Sequence, residues 1–263
     1  MLQGEKVTQK PPVYVTANSL VNGNCSIEVA LQIAWDAGVD GFELRREQLP
    51  RTMQHDDFCL LRSKLEHFRC SPIYSTPEPL FTEEGFQGES VGQVLTEAHT
   101  FGCNMVKFAP GNIEPDNEFM LQLSSLQRSF PTMTIAVEND QSPVSRDVAR
   151  WTRFFARVTE LPHPIWMTFD LGNWDCVGID AIQAAQHLGS FVIYIHTKAV
   201  ERKDDICISR PIRAAHSEHA ALAYLPAEVP RALEFPISGS NRDGVTSALH
   251  TYITWLRSGN FAT

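Results

Sequence analysis

Apolar, β-prone runs recur along the chain, most of them ending in a polar or charged residue. PVYVTAN (12–18), GFELR (41–45), SPIYST (71–76), MVKFAP (105–110), MTIAVEN (133–139), IWMTFDL (165–171), FVIYIHT (191–197) and ALEFPI (232–237) read as eight strands. Most are near-continuous rather than alternating, the pattern of parallel strands buried on both faces. Between them the apolar positions change to helical spacing. Ser26 is placed to cap a helix carrying Ile27, Ala30, Leu31 and Ala34 on one face and stopped by Gly38. Asp56 or Asp57 opens the next, with Leu60, Leu61, Leu65 and Phe68 inward. Helical segments at 89–100, 116–128, 145–159, 179–188 and 243–257 follow, the third with Val148, Trp151, Phe155 and Val158 on one stripe.

Strand–helix alternation of this kind selects an α/β architecture with a parallel sheet. An open doubly wound sheet is disfavoured, because TANSLVNGNC after the first strand lacks a Gly-rich phosphate loop. A chain of 263 residues with no linker fits one (β/α)8 TIM barrel over 11–263, behind a polar, flexible tail at 1–10. The segment 199–231 is long for a connection, carries Pro211, Pro226 and Pro230, and has one helix candidate around 214–225. It reads as an irregular seventh-to-eighth connection, a lid or a misread element.

Charge and composition narrow the function. A net charge of −9, with the basic run 198–213 diluted by Glu201, Asp204 and Asp205, argues against a nucleic-acid partner. The first residues lack the apolar stretch of a secretory signal, and no run is long enough to span a bilayer. Six cysteines (Cys25, Cys59, Cys70, Cys103, Cys176 and Cys207) show no CxxC pairing and read as buried thiols. A cytoplasmic protein without a membrane partner is expected.

Chemistry concentrates at four successive strand ends: Glu138 in TIAVEN, Asp170 in WMTFDLGN, His196 in VIYIHTK and Glu234 in RALEFP. Parallel strands bring their C-terminal ends to one face, so three carboxylates and an imidazole converge there. That donor set suits one divalent ion, manganese, magnesium, cobalt or zinc, with positions left for substrate. Such an ion binds two oxygens of a hydroxy-ketone and stabilises an enediolate formed by proton abstraction. Glu138 and Glu234 would then also be the acid/base pair of an isomerase or epimerase.

At these residues the sequence resembles the xylose-isomerase-like TIM-barrel family of sugar isomerases and epimerases, which includes inosose dehydratase, hydroxypyruvate isomerase, 3-dehydroshikimate dehydratase and endonuclease IV. The likeness runs from AWDAGVDGFELR to ALEFPISG, and VEND, FDLGNW and IHTKAV carry its wording. It implies metal ligands at Glu138, Asp170, His196 and Glu234. Asn173 stands where endonuclease IV-like members have a histidine, which argues against a three-metal phosphodiesterase. Ketohexose epimerases also carry histidine there, with a Glu and an Arg after the strand-seven His; Asn173, Lys198 and Arg202 stand in their place.

Further substrate-binding candidates are Glu43, Lys107, Asn139, Asn173, Lys198 and Arg202. Glu43 ends strand two, with an ion pair to Arg45 or Arg46 as its plainer role. Lys107 is a charge in an otherwise apolar strand and needs a partner, substrate oxygen or acidic neighbour. Asn139 and Asn173 orient ligands, touch substrate or form turns. Lys198 shares the face of His196 and suits an anionic or enediolate oxygen. The expected reaction is isomerisation or epimerisation of a small polyhydroxylated carbonyl compound, phosphorylated or not. A dehydratase of an inosose- or dehydroshikimate-like ketone and a non-catalytic sugar-binding barrel are the alternatives, and self-association as a homo-oligomer stays open.

Overall fold

The eight apolar runs do form parallel strands, and registered pairing links them into a closed ring. In the computed structural model, which describes residues 10–20, 25–50, 52–114, 117–204, 206–213 and 217–258, these are β1 (Val13–Thr16), β2 (Gly41–Arg45), β3 (Ser71–Thr82), β4 (Met105–Gly111), β5 (Thr134–Glu138), β6 (Ile165–Asp170), β7 (Val192–Thr197) and β8 (Arg231–Leu233). Their order around the ring is β2-β1-β8-β7-β6-β5-β4-β3, and pairing of Gly41–Arg45 with Ser71–Ser75 closes it. The fold is a single-domain (β/α)8 TIM barrel. All but Lys10 of the expected tail lies outside the described residues.

Local chemistry explains most element ends. Helix α1 (Ile27–Ala37) is capped by the Ser26 side chain, which accepts from the Val29 amide, and ends at Gly38 with φ of 81°. Helix α2 (His55–His67) starts earlier than Asp56 or Asp57 suggested. Gln54 is its cap, and Asp57 returns a bond to the Gln54 amide in a capping box. Leu61 and Leu65 of α2 are buried, whereas Leu60 faces solvent. Helices α3 (Gly88–Phe101) and α4 (Asn117–Gln127) follow their apolar stripes. Helix α5 (Val148–Val158) begins at an Asp147 cap rather than at Ser145, which lies in a preceding 3₁₀ turn. Helices α6 (Leu171–Cys176), α7 (Ala181–Leu188) and α8 (Arg242–Ser258) follow, and short helical turns lie at Ala17–Leu20 and Ser217–Ala221. No helix among the described residues is long and apolar enough to cross a membrane.

Two apolar regions hold the barrel. The larger lies between strands and helices, where fully buried Trp151 stacks on Phe155 at 5.7 Å and meets Trp174 edge-on. Burial of one such side chain is worth about 1.5–3 kcal/mol. The smaller, formed by Tyr14, Ile73, Tyr194 and Ala232 with Met105 against them, fills the barrel interior. Above this floor the interior turns polar.

The connection from β7 to β8 is a strap rather than a loose loop. It opens as an antiparallel hairpin, Ala199–Lys203 paired with Ile206–Arg210, and continues into a short helix at Ser217–Ala221. The hairpin lies on α6. Arg202 donates to the Asp175 and Cys176 carbonyls, and Cys176 and Cys207 form a disulfide. This corrects the expectation of six free thiols and removes the argument from cysteine usage to a reducing compartment. A Cβ at Gly172 would stand 2.8 Å from Lys198 Cγ and 2.9 Å from Val200 Cγ1, so glycine is required for the hairpin to pack.

Peptide mapping without reductant should recover a Cys176–Cys207 crosslink, and Cys207→Ser should lower unfolding free energy by about 3 kcal/mol. Equal midpoints for oxidised and reduced protein would contradict the tether. Gly172→Val should raise hydrogen exchange across 198–203, read by mass spectrometry; unchanged exchange would count against the close packing.

Candidate metal centre

Each strand end delivers its side chain inward by alternation. Glu138 closes β5, Asp170 closes β6, His196 is the penultimate residue of β7, and Glu234 is the first residue past β8. One ligand atom from each of the four lies within 4.8 Å of the others. Glu138 is 15% exposed through its side chain and the other three no more than 6%.

His196 is the hub. Its Nε2 donates to Glu43 Oε2 at 2.7 Å, which leaves Nδ1 as the nitrogen that could face a metal. Nδ1 faces Glu138 Oε1 at 2.7 Å, Glu234 Oε2 at 3.0 Å and Asp170 Oδ2 at 3.6 Å. One N–H cannot serve three acceptors. Although Asp170 Oδ2 lies 2.7 Å from Lys198 Nζ, neither it nor Glu138 Oε1 accepts a hydrogen bond of normal geometry. Buried oxygens crowded around one imidazole nitrogen, more than a single N–H can serve, are a donor set that could hold a divalent cation.

The carboxylates are held by a cationic shell. Lys107 donates to Glu138 Oε2 and stands 3.4 Å from Glu43 Oε1. Arg45 donates Nη1 to Glu234 Oε1 at 2.7 Å and Nε to Glu47. Lys198 Nζ is also 2.8 Å from Glu234 Oε2. Burial acts to raise the Glu43 carboxyl, but His196 and Lys107 hold it down at about 2. Glu138 is lowered because Lys107 and His196 outweigh its burial, and Glu234 is lowered likewise by Lys198 and His196. Burial pushes Asp170 up to about 6 against the pull of Lys198. The His196 imidazole is raised well above its ordinary range, since Glu43, Glu234 and Glu138 outweigh its burial.

The expected substrate contacts divide. Lys198 reaches two oxygens of the cluster. Glu43 does not face the mouth. It is fully buried beneath His196 and accepts from Tyr194 Oη at 2.9 Å, so it orients the imidazole. Lys107, 2% exposed, pairs with an acidic neighbour, Glu138. Asn139 is fully buried, with its amide donating to the Asp170 carbonyl at 3.0 Å and accepting from the Asp170 amide at 2.8 Å. Asn173 donates to the Asn139 carbonyl and accepts from Gln141, so both asparagines lock Asp170 in place. Arg202 is turned to the end of α6, away from the ligands.

Trp174 belongs to the core. Sequence reasoning missed Arg45, whose signal is strand alternation: two residues beyond Glu43, it shares the inward face. In SGSNRDG, which leads into α8, Asn241 accepts from the Gly244 amide as a cap does.

No family model and no curated protein matches this sequence. Solved structures do. A xylose isomerase domain protein from Planctomyces limnophilus is 14% identical, with a TM-score of 0.67 over 95% of this chain and 97% of its own. An L-ribulose 3-epimerase is 14% identical, with a TM-score of 0.67 over 94% and 95%. An IolI protein with a bound zinc atom is 13% identical, with a TM-score of 0.70 over 97% and 100%. At such identities the likeness establishes architecture alone. The chain has the xylose isomerase-like TIM-barrel fold.

Proposed function

We propose that the protein is a divalent-metal-dependent isomerase or epimerase of a small polyhydroxylated carbonyl compound. The observation that carries this reading is the convergence of Glu138, Asp170, His196 and Glu234, with His196 Nδ1 turned toward three carboxylate oxygens. A divalent ion held by these four would polarise the substrate carbonyl and stabilise the negative charge left when a neighbouring carbon loses its proton. Zinc in the IolI structure and the activity named for the epimerase structure support the same reading.

The acid/base work falls to Glu138 and Glu234, which reach the site from strands β5 and β8 of the ring. Glu138, the most exposed of the four, is assigned to proton abstraction, with Lys107 keeping Oε2 ionised and ready to accept. Glu234, held between Arg45 and Lys198, would have to take a proton from solvent in that step and deliver it to the opposite face of the resulting enediolate, while Glu138 releases the abstracted proton to solvent. Glu43 keeps Nδ1 rather than Nε2 of His196 directed at the ligands.

Turnover of a panel of keto-sugars in D₂O with Mn²⁺ should place solvent deuterium on carbon without loss of mass as water. Loss of water would make the protein a lyase, and no turnover on any substrate would favour a binding protein. Asp170→Asn and Glu234→Gln should abolish Mn²⁺ binding measured by calorimetry. Glu43→Gln should weaken it about 10–100-fold, because the imidazole loses its orienting carboxylate; wild-type affinity in that variant would remove Glu43 from the centre.

A further inference from the structure

The ligand cluster holds three cations beside its four carboxylates. Seven charged side chains less than one-fifth exposed touch one another there. Glu43, Glu138, Asp170 and Glu234 are the anions, and Arg45, Lys107 and Lys198 are the cations. With His196 neutral as a ligand, a divalent ion turns this set from one net negative charge to one net positive charge. Glu47 pairs with Arg45 from outside, but its side chain is 38% exposed and its charge is screened by water. An uncompensated charge in a water-poor interior is costly. A neutral polyol leaves it in place, whereas a ligand with one oxyanion removes it.

The cations with donors to spare are Lys198 and Arg45. They grip opposite oxygens of the same carboxylate, Lys198 at Glu234 Oε2 (2.8 Å) and Arg45 at Glu234 Oε1 (2.7 Å). An ammonium has three donors and a guanidinium five. Lys198 aims at Asp170 and Glu234, while Arg45 uses Nη1 on Glu234 and Nε on Glu47 and keeps Nη2 for a further acceptor. Lys107, behind Glu138, contributes charge but no contact.

On the metal-dependent reading above, we infer that the substrate is anionic: a polyhydroxy carbonyl compound whose carboxylate or phosphate is held between Arg45 and Lys198. The surplus charge of the loaded site selects it, and these two side chains position it.

The test uses the Mn²⁺-loaded protein and three matched probes: glycerol, glycerate and glycerol 3-phosphate. Mn²⁺ binding is read first, by the electron paramagnetic resonance of the free ion, and probe binding second, by calorimetry. At least one anion should bind about tenfold or more tightly than glycerol, and the tighter of the two identifies carboxylate or phosphate. Lys198→Met and Arg45→Met should each shrink that ratio toward one, and Lys198→Arg should restore it. If Mn²⁺ binds and glycerol matches both anions, or neither anion binds, the anionic substrate is overturned while the metal centre stands. Failure to bind Mn²⁺ overturns both.

Discussion

A carboxylate withdrawn from water needs a partner, and the upper interior of this barrel holds four of them side by side. Much of the local structure is a response to that constraint. Arg45, Lys107 and Lys198 come from β2, β4 and the residue after β7 to meet Glu43, Glu138, Asp170 and Glu234. Tyr194 sets the boundary: its ring belongs to the apolar floor, while its hydroxyl donates upward to Glu43. Even so, the compensation is incomplete, because oxygens of Glu43, Glu138 and Asp170 accept no hydrogen bond of normal geometry. An interior built for stability alone would fill this space with apolar side chains at lower cost. Retaining so many charges makes sense where they handle a cation and a charged reaction intermediate.

Rigidity around the cluster comes from the strand ends and the segments joined to them. Asn139 clamps the Asp170 main chain across β5 and β6, and Asp170 in turn caps α6 through the Asn173 amide. The same helix supports the strap from β7, through Gly172, the Arg202 contacts and the Cys176–Cys207 disulfide. Lys198 is thus fixed from two sides, by its strand and by the hairpin that begins beside it. Preorganisation of this sort lets a site act without reorganising its own charges during reaction.

The barrel and the convergence of Glu138, Asp170, His196 and Glu234 were legible because both depend on periodicity along single segments. Apolar runs of parallel-strand character fix the strands, and parallel order makes every C-terminal end a candidate for the same mouth. Contacts between distant segments were not legible. Glu43 reads as a mouth residue until its depth beneath His196 is known, and Lys107 reads as a charge needing either a substrate oxygen or an acidic neighbour until Glu138 is seen beside it. Cys176 and Cys207 sit 31 residues apart, and only the hairpin brings them together. Helix α6, which starts at the last residue of the strand-like run 165–171, escaped notice because six residues are too few to display its period. Arg45 was within reach, since the alternation that turns Glu43 inward turns Arg45 inward too.

The central claim is that one cation sits among Glu138, Asp170, His196 and Glu234. Anomalous diffraction from crystals grown with Mn²⁺, collected at the manganese edge, tests it most directly. The expected result is a single strong peak within coordination distance of His196 Nδ1 and the three carboxylates. A featureless map at that position, with those side chains ordered and Lys198 still bridging Asp170 and Glu234, would contradict it.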